Sequence, residues 1–227
     1  MQVRQRSWAR LREDRPARIG ARNLQILGDV NWRLTTSALL ADGFVRVERA
    51  LAGDICRDLA AAAPTTWEAE PDVIGTVRQR AMSTGLYFDR AAGPVRQVGS
   101  VICDSLSAAI PSDIVSPPLF NEVRWSKSEA GSGYSITAHR DPPLCGGVIA
   151  IVTLFGQAVF RVHRGAGKAE WKTADGDLVI LRGNGWPTDS DTCPVHEAEL
   201  PDTGERVILT FRHNAGGPGA NYFTEIS

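Results

Sequence analysis

Residues 195–213 read Val195-His196-Glu197-Ala198-Glu199-Leu200-Pro201-Asp202-Thr203-Gly204-Glu205-Arg206-Val207-Ile208-Leu209-Thr210-Phe211-Arg212-His213. Two β-prone runs flank a turn-rich link, Pro201 to Glu205, and the pattern predicts a hairpin. Leu200 is expected opposite Arg206, and His196 opposite Thr210. Side chains alternate in direction along a strand. His196, Ala198 and Leu200 would then share a face with Arg206, Ile208, Thr210 and Arg212. Arginines on the inner face of a barrel are costly without an anionic partner. On the same alternation Glu197, Glu199 and Glu205 point outward or sit in the turn. Arg206 and Arg212 are therefore expected to grip an acidic ligand, because the guanidinium fork matches both oxygens of a carboxylate.

Working outward from this stretch, short β-rich runs recur after Pro118: Tyr134–Ala138, Val148–Phe155, Ala158–His163 and Leu178–Leu181. Gly, Pro and Asp punctuate them, as in Gly146-Gly147, Gly165-Ala166-Gly167 and Asp175-Gly176-Asp177. Many short strands at such spacing indicate an antiparallel sandwich or barrel. Upstream, from about Thr35 to Pro111, the texture is helical with irregular connections. Asp42-Gly43 marks a turn before the apolar stretch Phe44-Val45-Arg46-Val47. Asp54 is placed to cap a helix running to Ala63, which Pro64 ends. Val98 to Ile110 is a second amphipathic helix candidate, and Trp67 to Val95 reads as a long loop or hairpin region. The glycine-rich tail, Ala215 to Ala220, reads as a loop.

The chain has 227 residues, enough for one sizeable domain or one domain with an N-terminal extension. We read residues 1–30 as a basic extension and residues 31–227 as a single domain. The first 22 residues carry seven arginines against Glu13 and Asp14. Three readings stay open for them: a solvated arm, a nucleic-acid or phosphate contact, and an organelle transit peptide. A formal net charge of -1 gives no whole-protein pull toward nucleic acid or anionic membrane. No apolar run approaches the roughly 20 residues a membrane helix needs. No apolar core follows Met1 to Arg6, so no secretory signal is expected. Cys56, Cys103, Cys145 and Cys193 are scattered and form no CxxC pair, which disfavours a zinc knuckle and a disulfide framework. A reducing cytoplasm is the expected compartment.

His139-Arg140-Asp141 carries the chemistry. His139 ends an expected strand, and Pro142-Pro143 cannot continue a ladder. Together with the distant His196, the tripeptide offers two imidazoles and one carboxylate. That set holds Fe(II) on one face and leaves the other face open. His163 and His213 are expected outside the site. Trp125, Trp171 and Trp186 are read as core or rim, and Cys193 as a small core residue close to His196. Arg78, Arg80, Tyr87 and Phe88 form a basic and aromatic set that either meets a substrate or sits in a solvated loop.

The order HxD, distal His, then Arg about ten residues later resembles the Fe(II)/2-oxoglutarate-dependent dioxygenases. Arg206-Val207-Ile208-Leu209-Thr210-Phe211-Arg212 is similar to the RxNxTxR signature of their AlkB-like branch, and Asp177-Leu178-Val179-Ile180 is similar to the strand before that branch's distal histidine. The resemblance covers about residues 118–213. It implies an α+β, mainly β fold: a double-stranded β-helix, or jelly roll, with N-terminal helices packed against it. It implies that His139, Asp141 and His196 bind Fe(II), that Arg206 binds the distal carboxylate of 2-oxoglutarate, and that Arg212 lies near its C1 end. O2 would be the second co-substrate, with succinate and CO2 as co-products. Ile208 stands where the signature has Asn, which weakens assignment to the nucleic-acid-repair members. The retained Asp141 speaks against the halogenase variants. The expectation is hydroxylation of a C–H bond in a small molecule. The rivals are AlkB-like demethylation of nucleic-acid bases and a non-enzymatic jelly-roll binding module.

Overall fold

The computed structural model describes residues 26–28, 30–91, 93–110, 120–164, 167–184, 186 and 193–216. Residues 1–25, which hold the arginine-rich segment, lie outside the described residues, as does most of the glycine-rich tail.

Three helices and thirteen strands are described: α1 (Trp32–Asp42), β1 (Phe44–Val47), α2 (Gly53–Ala61), β2 (Glu68–Ala69), β3 (Val73–Ile74), β4 (Val77–Arg78), β5 (Met82–Tyr87), α3 (Gly93–Ala109), β6 (Glu122–Glu129), β7 (Tyr134–His139), β8 (Cys145–Phe155), β9 (Val159–Arg164), β10 (Gly167–Lys172), β11 (Leu178–Arg182), β12 (His196–Glu199) and β13 (Glu205–Asn214). A seven-stranded sheet runs β1-β11-β8-β13-β6-β5-β2, and a four-stranded sheet runs β10-β9-β12-β7. A small ladder, β3-β4, completes the set. Among the described residues no helix is long and apolar enough to cross a membrane.

The centre of the large sheet follows from composition. Val148-Ile149-Ala150-Ile151-Val152 in β8 is buried on both sides, as an almost continuous apolar run requires. Val148, Ala150, Val152 and Leu154 join the cluster that packs on the helices, together with Val207, Leu209 and Phe211 of β13. Ile149 and Ile151 face the other way and join Phe160, Val162 and Ala198 of the small sheet. One core therefore lies between helices and large sheet, and the other between the two sheets.

The helices are fixed by local chemistry. Asn31 caps α1, its side chain accepting from the Leu34 amide at 3.2 Å. Gly43 ends it with φ of 80°, a conformation glycine adopts without a Cβ clash. The expected helix at Asp54 exists, but Ala52 is its cap and the Asp54 carboxylate accepts only from its neighbour Ile55. The second expected helix begins earlier than Val98. Pro94 falls in the first turn of α3, where no amide donor is required.

The expected hairpin does not form. β12 pairs with β7 and β9, whereas β13 pairs with β6 and β8. Leu200 meets Gly133, its amide donating to that carbonyl at 3.0 Å, rather than Arg206. His196 is in register with His139 and Val162, not with Thr210. The physical reason is valence: each strand already has a ladder partner on both edges, so the link at Pro201–Glu205 carries the chain from one sheet to the other. The two inner faces still look at each other, so the shared cavity predicted from the hairpin exists by a different route.

Candidate metal and anion site

His139 closes β7 and stands in register with His196, which opens β12. Their ring centroids are 4.3 Å apart. Asp141 lies just past the end of β7, and the ligating atoms of His139, Asp141 and His196 all fall within 4.8 Å of one another. His139 Nδ1 donates to the Thr137 carbonyl at 2.9 Å, and His196 Nδ1 donates to the Pro194 carbonyl at 3.1 Å. With Nδ1 carrying the proton, each ring keeps its Nε2 lone pair for a metal. His196 Nε2 is 3.5 Å from Asp141 Oδ2. That carboxylate oxygen is buried and accepts no hydrogen bond. Burial, and after it the neighbouring His196, push the His139 imidazole down to about 4, so it is neutral at physiological pH. Two imidazoles with Nε2 free of a backbone partner and one orphaned carboxylate oxygen suit a divalent cation with open positions.

Arg206 projects from β13 into the same cavity, of about 520 Å³. It is 4% exposed, and its Nε has no hydrogen-bond partner. Burial alone pushes its guanidinium down to about 10. The acids weighed as partners are engaged elsewhere. Glu197 and Glu199 contact Arg161, and Glu205 contacts Lys127. Among the described residues no acid stands beside this buried cation, and an anion in the cavity would offset the cost of burying it.

Arg212 behaves differently. It also faces the cavity, but Glu122 of β6 takes its Nε at 2.8 Å and its Nη2 at 3.2 Å. Its Nη1 lies 3.7 Å from Asp141 Oδ1. Glu122 carries no motif and sits on a strand that alternates polar and apolar residues, so nothing in the sequence marked it. The only available signal was the alternation itself, which puts Glu122, Arg124 and Ser126 on the inner face.

The remaining expectations sort cleanly. His163 and His213 do not line the cavity. Trp125 is fully buried and donates to the Leu59 carbonyl at 2.9 Å; Trp171 stacks on Phe44, and Trp186 is buried. Cys193 is buried, and burial followed by Asp141 raises its thiol to about 12. Arg78, Arg80, Tyr87 and Phe88 do not line the cavity, but their neighbours Ile74, Val77, Gln79 and Ala81 do.

No protein-family model matches the chain, and no curated protein matches it by sequence. Solved structures do match. A prolyl-4-hydroxylase from Pseudomonas putida superimposes with a TM-score of 0.58 at 15% identity, covering 81% of this chain and 98% of that one. An oxidoreductase of the 2OG-Fe(II) oxygenase family from Burkholderia pseudomallei gives 0.58 at 13% identity, covering 84% and 94%. SnoK, a non-heme α-ketoglutarate-dependent carbocyclase of nogalamycin biosynthesis, gives 0.55 at 12% identity, covering 80% and 83%.

The fold is that of the 2-oxoglutarate and iron oxygenases. The expected double-stranded β-helix with N-terminal helices is therefore present. Within this oxygenase fold the small sheet supplies His139 and His196, and the large sheet supplies Arg206 and Arg212.

Proposed function

We propose that this chain is an Fe(II)/2-oxoglutarate-dependent oxygenase that hydroxylates a C–H bond of a small molecule. One observation carries the reading: a half-buried His-Asp-His cluster shares a cavity with a buried arginine that has no acid partner among the described residues. The cluster fits iron through its two Nε2 lone pairs and the orphaned Asp141 oxygen. Arg206 fits the far carboxylate of 2-oxoglutarate. When bound, iron and 2-oxoglutarate supply an oxidant made from O2, with succinate and CO2 as co-products.

The protein's part is holding and excluding. Thr137 and Pro194 carbonyls fix the two imidazole orientations. Arg206 anchors one end of the co-substrate and so sets where its other end lies. Ile149, Ile151, Phe160, Ala198 and Ile208 wall the cavity with apolar surface that keeps bulk water away. The small-molecule assignment rests on the net charge of -1 and on Ile208, which removes the polar group of the nucleic-acid-repair signature.

Anaerobic addition of Fe(II) and 2-oxoglutarate should give the weak visible charge-transfer band of a chelated complex. His139→Ala and Asp141→Ala should abolish it. Wild-type protein without the band at saturating ligand would refute the assignment. Salt-sensitive binding to methylated single strands would favour base demethylation instead. Absence of 2-oxoglutarate consumption across a substrate screen would favour a binding module.

A further inference from the structure

Glu122 and Arg212 face each other in register across β6 and β13. They are 4% and 8% exposed. Glu122 holds the arginine in a two-point contact, Nε to Oε2 at 2.8 Å and Nη2 to Oε1 at 3.2 Å. Asn214 Nδ2 donates to the same Oε2 at 3.4 Å. Asn214 is itself anchored: its amide donates to Asn121 Oδ1 at 2.8 Å, and Asn121 Nδ2 donates to the Asn214 carbonyl at 2.8 Å. On the other side, Asp141 Oδ1 stands 3.7 Å from Arg212 Nη1, within ion-pair range but beyond hydrogen-bond contact. A buried carboxylate and a half-buried one thus compete for one guanidinium, and Glu122 holds it.

The outcome of that competition matters because a cation and a guanidinium want the same thing from Asp141. A bidentate Arg–carboxylate pair is among the strongest contacts a side chain makes. If Arg212 closed on Asp141 in that way, a metal would have to displace it. Removing Glu122 takes away the carboxylate that engages Arg212 at two points, and Asp141 is an acid already within 3.7 Å of it.

We infer that Glu122 is a positioning residue that holds Arg212 off Asp141, so that the Asp141 carboxylate stays available to a divalent cation and Arg212 does not act as a second anion receptor beside Arg206. The inference rests on the oxygenase reading of the same cavity. It gives the two arginines separate tasks: Arg206 receives the co-substrate, while Arg212, neutralised by Glu122, only braces the metal carboxylate at a distance.

The test uses the full chain, with Mn(II) alone and 2-oxoglutarate alone as probes. Mn(II) affinity is read from the free-ion paramagnetic resonance signal, and 2-oxoglutarate affinity of the metal-free protein from calorimetry. Glu122→Gln keeps the shape and removes the charge. We expect it to weaken Mn(II) by about tenfold or more and to tighten 2-oxoglutarate in the absence of metal. The double variant Glu122→Gln with Arg212→Met removes both charges, and it should restore Mn(II) affinity to within about threefold of wild type. A merely structural role for Glu122 predicts another pattern, in which both ligands weaken together and the double variant restores neither. That pattern, or unchanged Mn(II) affinity in Glu122→Gln, overturns the inference. Should Glu122→Gln fail to fold, the double variant decides: Mn(II) binding about tenfold weaker than wild type would overturn it. Wild-type protein that binds neither probe would remove the oxygenase reading and this inference together. Wild-type binding with an insensitive Glu122→Gln removes this inference alone.

Discussion

Arg206 is the residue whose surroundings are least comfortable. Its charge is buried, its Nε is unpartnered, and among the described residues no acid stands beside it. Such a residue costs stability until its ligand arrives. Arg206→Met should therefore raise the stability of the ligand-free protein, by about 1–4 kcal/mol, read from chemical denaturation. The same variant should lose measurable 2-oxoglutarate binding while keeping Mn(II) affinity, because the guanidinium touches none of the three metal-binding side chains. A drop in ligand-free stability would show that Arg206 has a structural partner. Arg206→Lys should restore little, since a point charge replaces a fork that meets two oxygens. This residue was legible from alternation on its strand. Glu122 was not, because its significance lies in a partner ninety positions away in sequence and in no local pattern.

Elements were legible in kind and misplaced in partnership. The runs Tyr134–Ala138, Val148–Phe155 and Leu178–Leu181 lie within β7, β8 and β11, since apolar or alternating patterns report burial directly. β6 and β10 went unread because their exposed or cavity-facing residues are polar and dilute the pattern. The link at Pro201–Glu205 looked like a hairpin because turn chemistry is the same whether a chain returns to its neighbour or crosses to another sheet. Only the ladder partners distinguish the two. The far end of β8 shows how tightly that crossing is built. Gly156 has φ of 82°, and a Cβ there would lie 2.2 Å from the Glu205 carbonyl oxygen and 2.7 Å from Arg206 Cα. Gly156→Ala should destabilise the fold by about 3 kcal/mol, combining left-handed strain with a backbone clash. Gly75→Ala, with φ of 56° and open space around its Cβ, should cost about 1 kcal/mol from strain alone. Thermal melts of the two variants compare them, and equal losses would contradict the close approach at Gly156.

At the scale of the whole molecule, the site is divided between sheets. The candidate metal ligands His139, Asp141 and His196 belong to the small sheet and the end of β7, and the two arginines to the large sheet. A metal and an anion bound together would tie the sheets to each other. Mn(II) with 2-oxoglutarate should then raise the melting temperature more than either alone. The gain at ligand concentrations about a hundred times the dissociation constant should approach 2.7 kcal/mol per ligand. A shift from the pair no larger than that from Mn(II) alone would mean that 2-oxoglutarate does not bind in the cavity. The class of architecture was legible from many short strands after a helical start. Which strand joins which sheet was not, because ladder partners are chosen by the whole chain.

The stretch from Glu68 to Tyr87 has a consequence of its own. It is fastened at both ends of the cavity mouth: β5 pairs with β6 of the large sheet, while the Arg80 amide donates to Ser135 and Gln79 bridges Ile136 in the small one. It contributes Ile74, Val77, Gln79 and Ala81 to the cavity wall, yet none of the metal or anion groups. A substitution among residues 74–81 would therefore change the wall that an incoming molecule meets while leaving His139, Asp141, His196 and Arg206 where they stand.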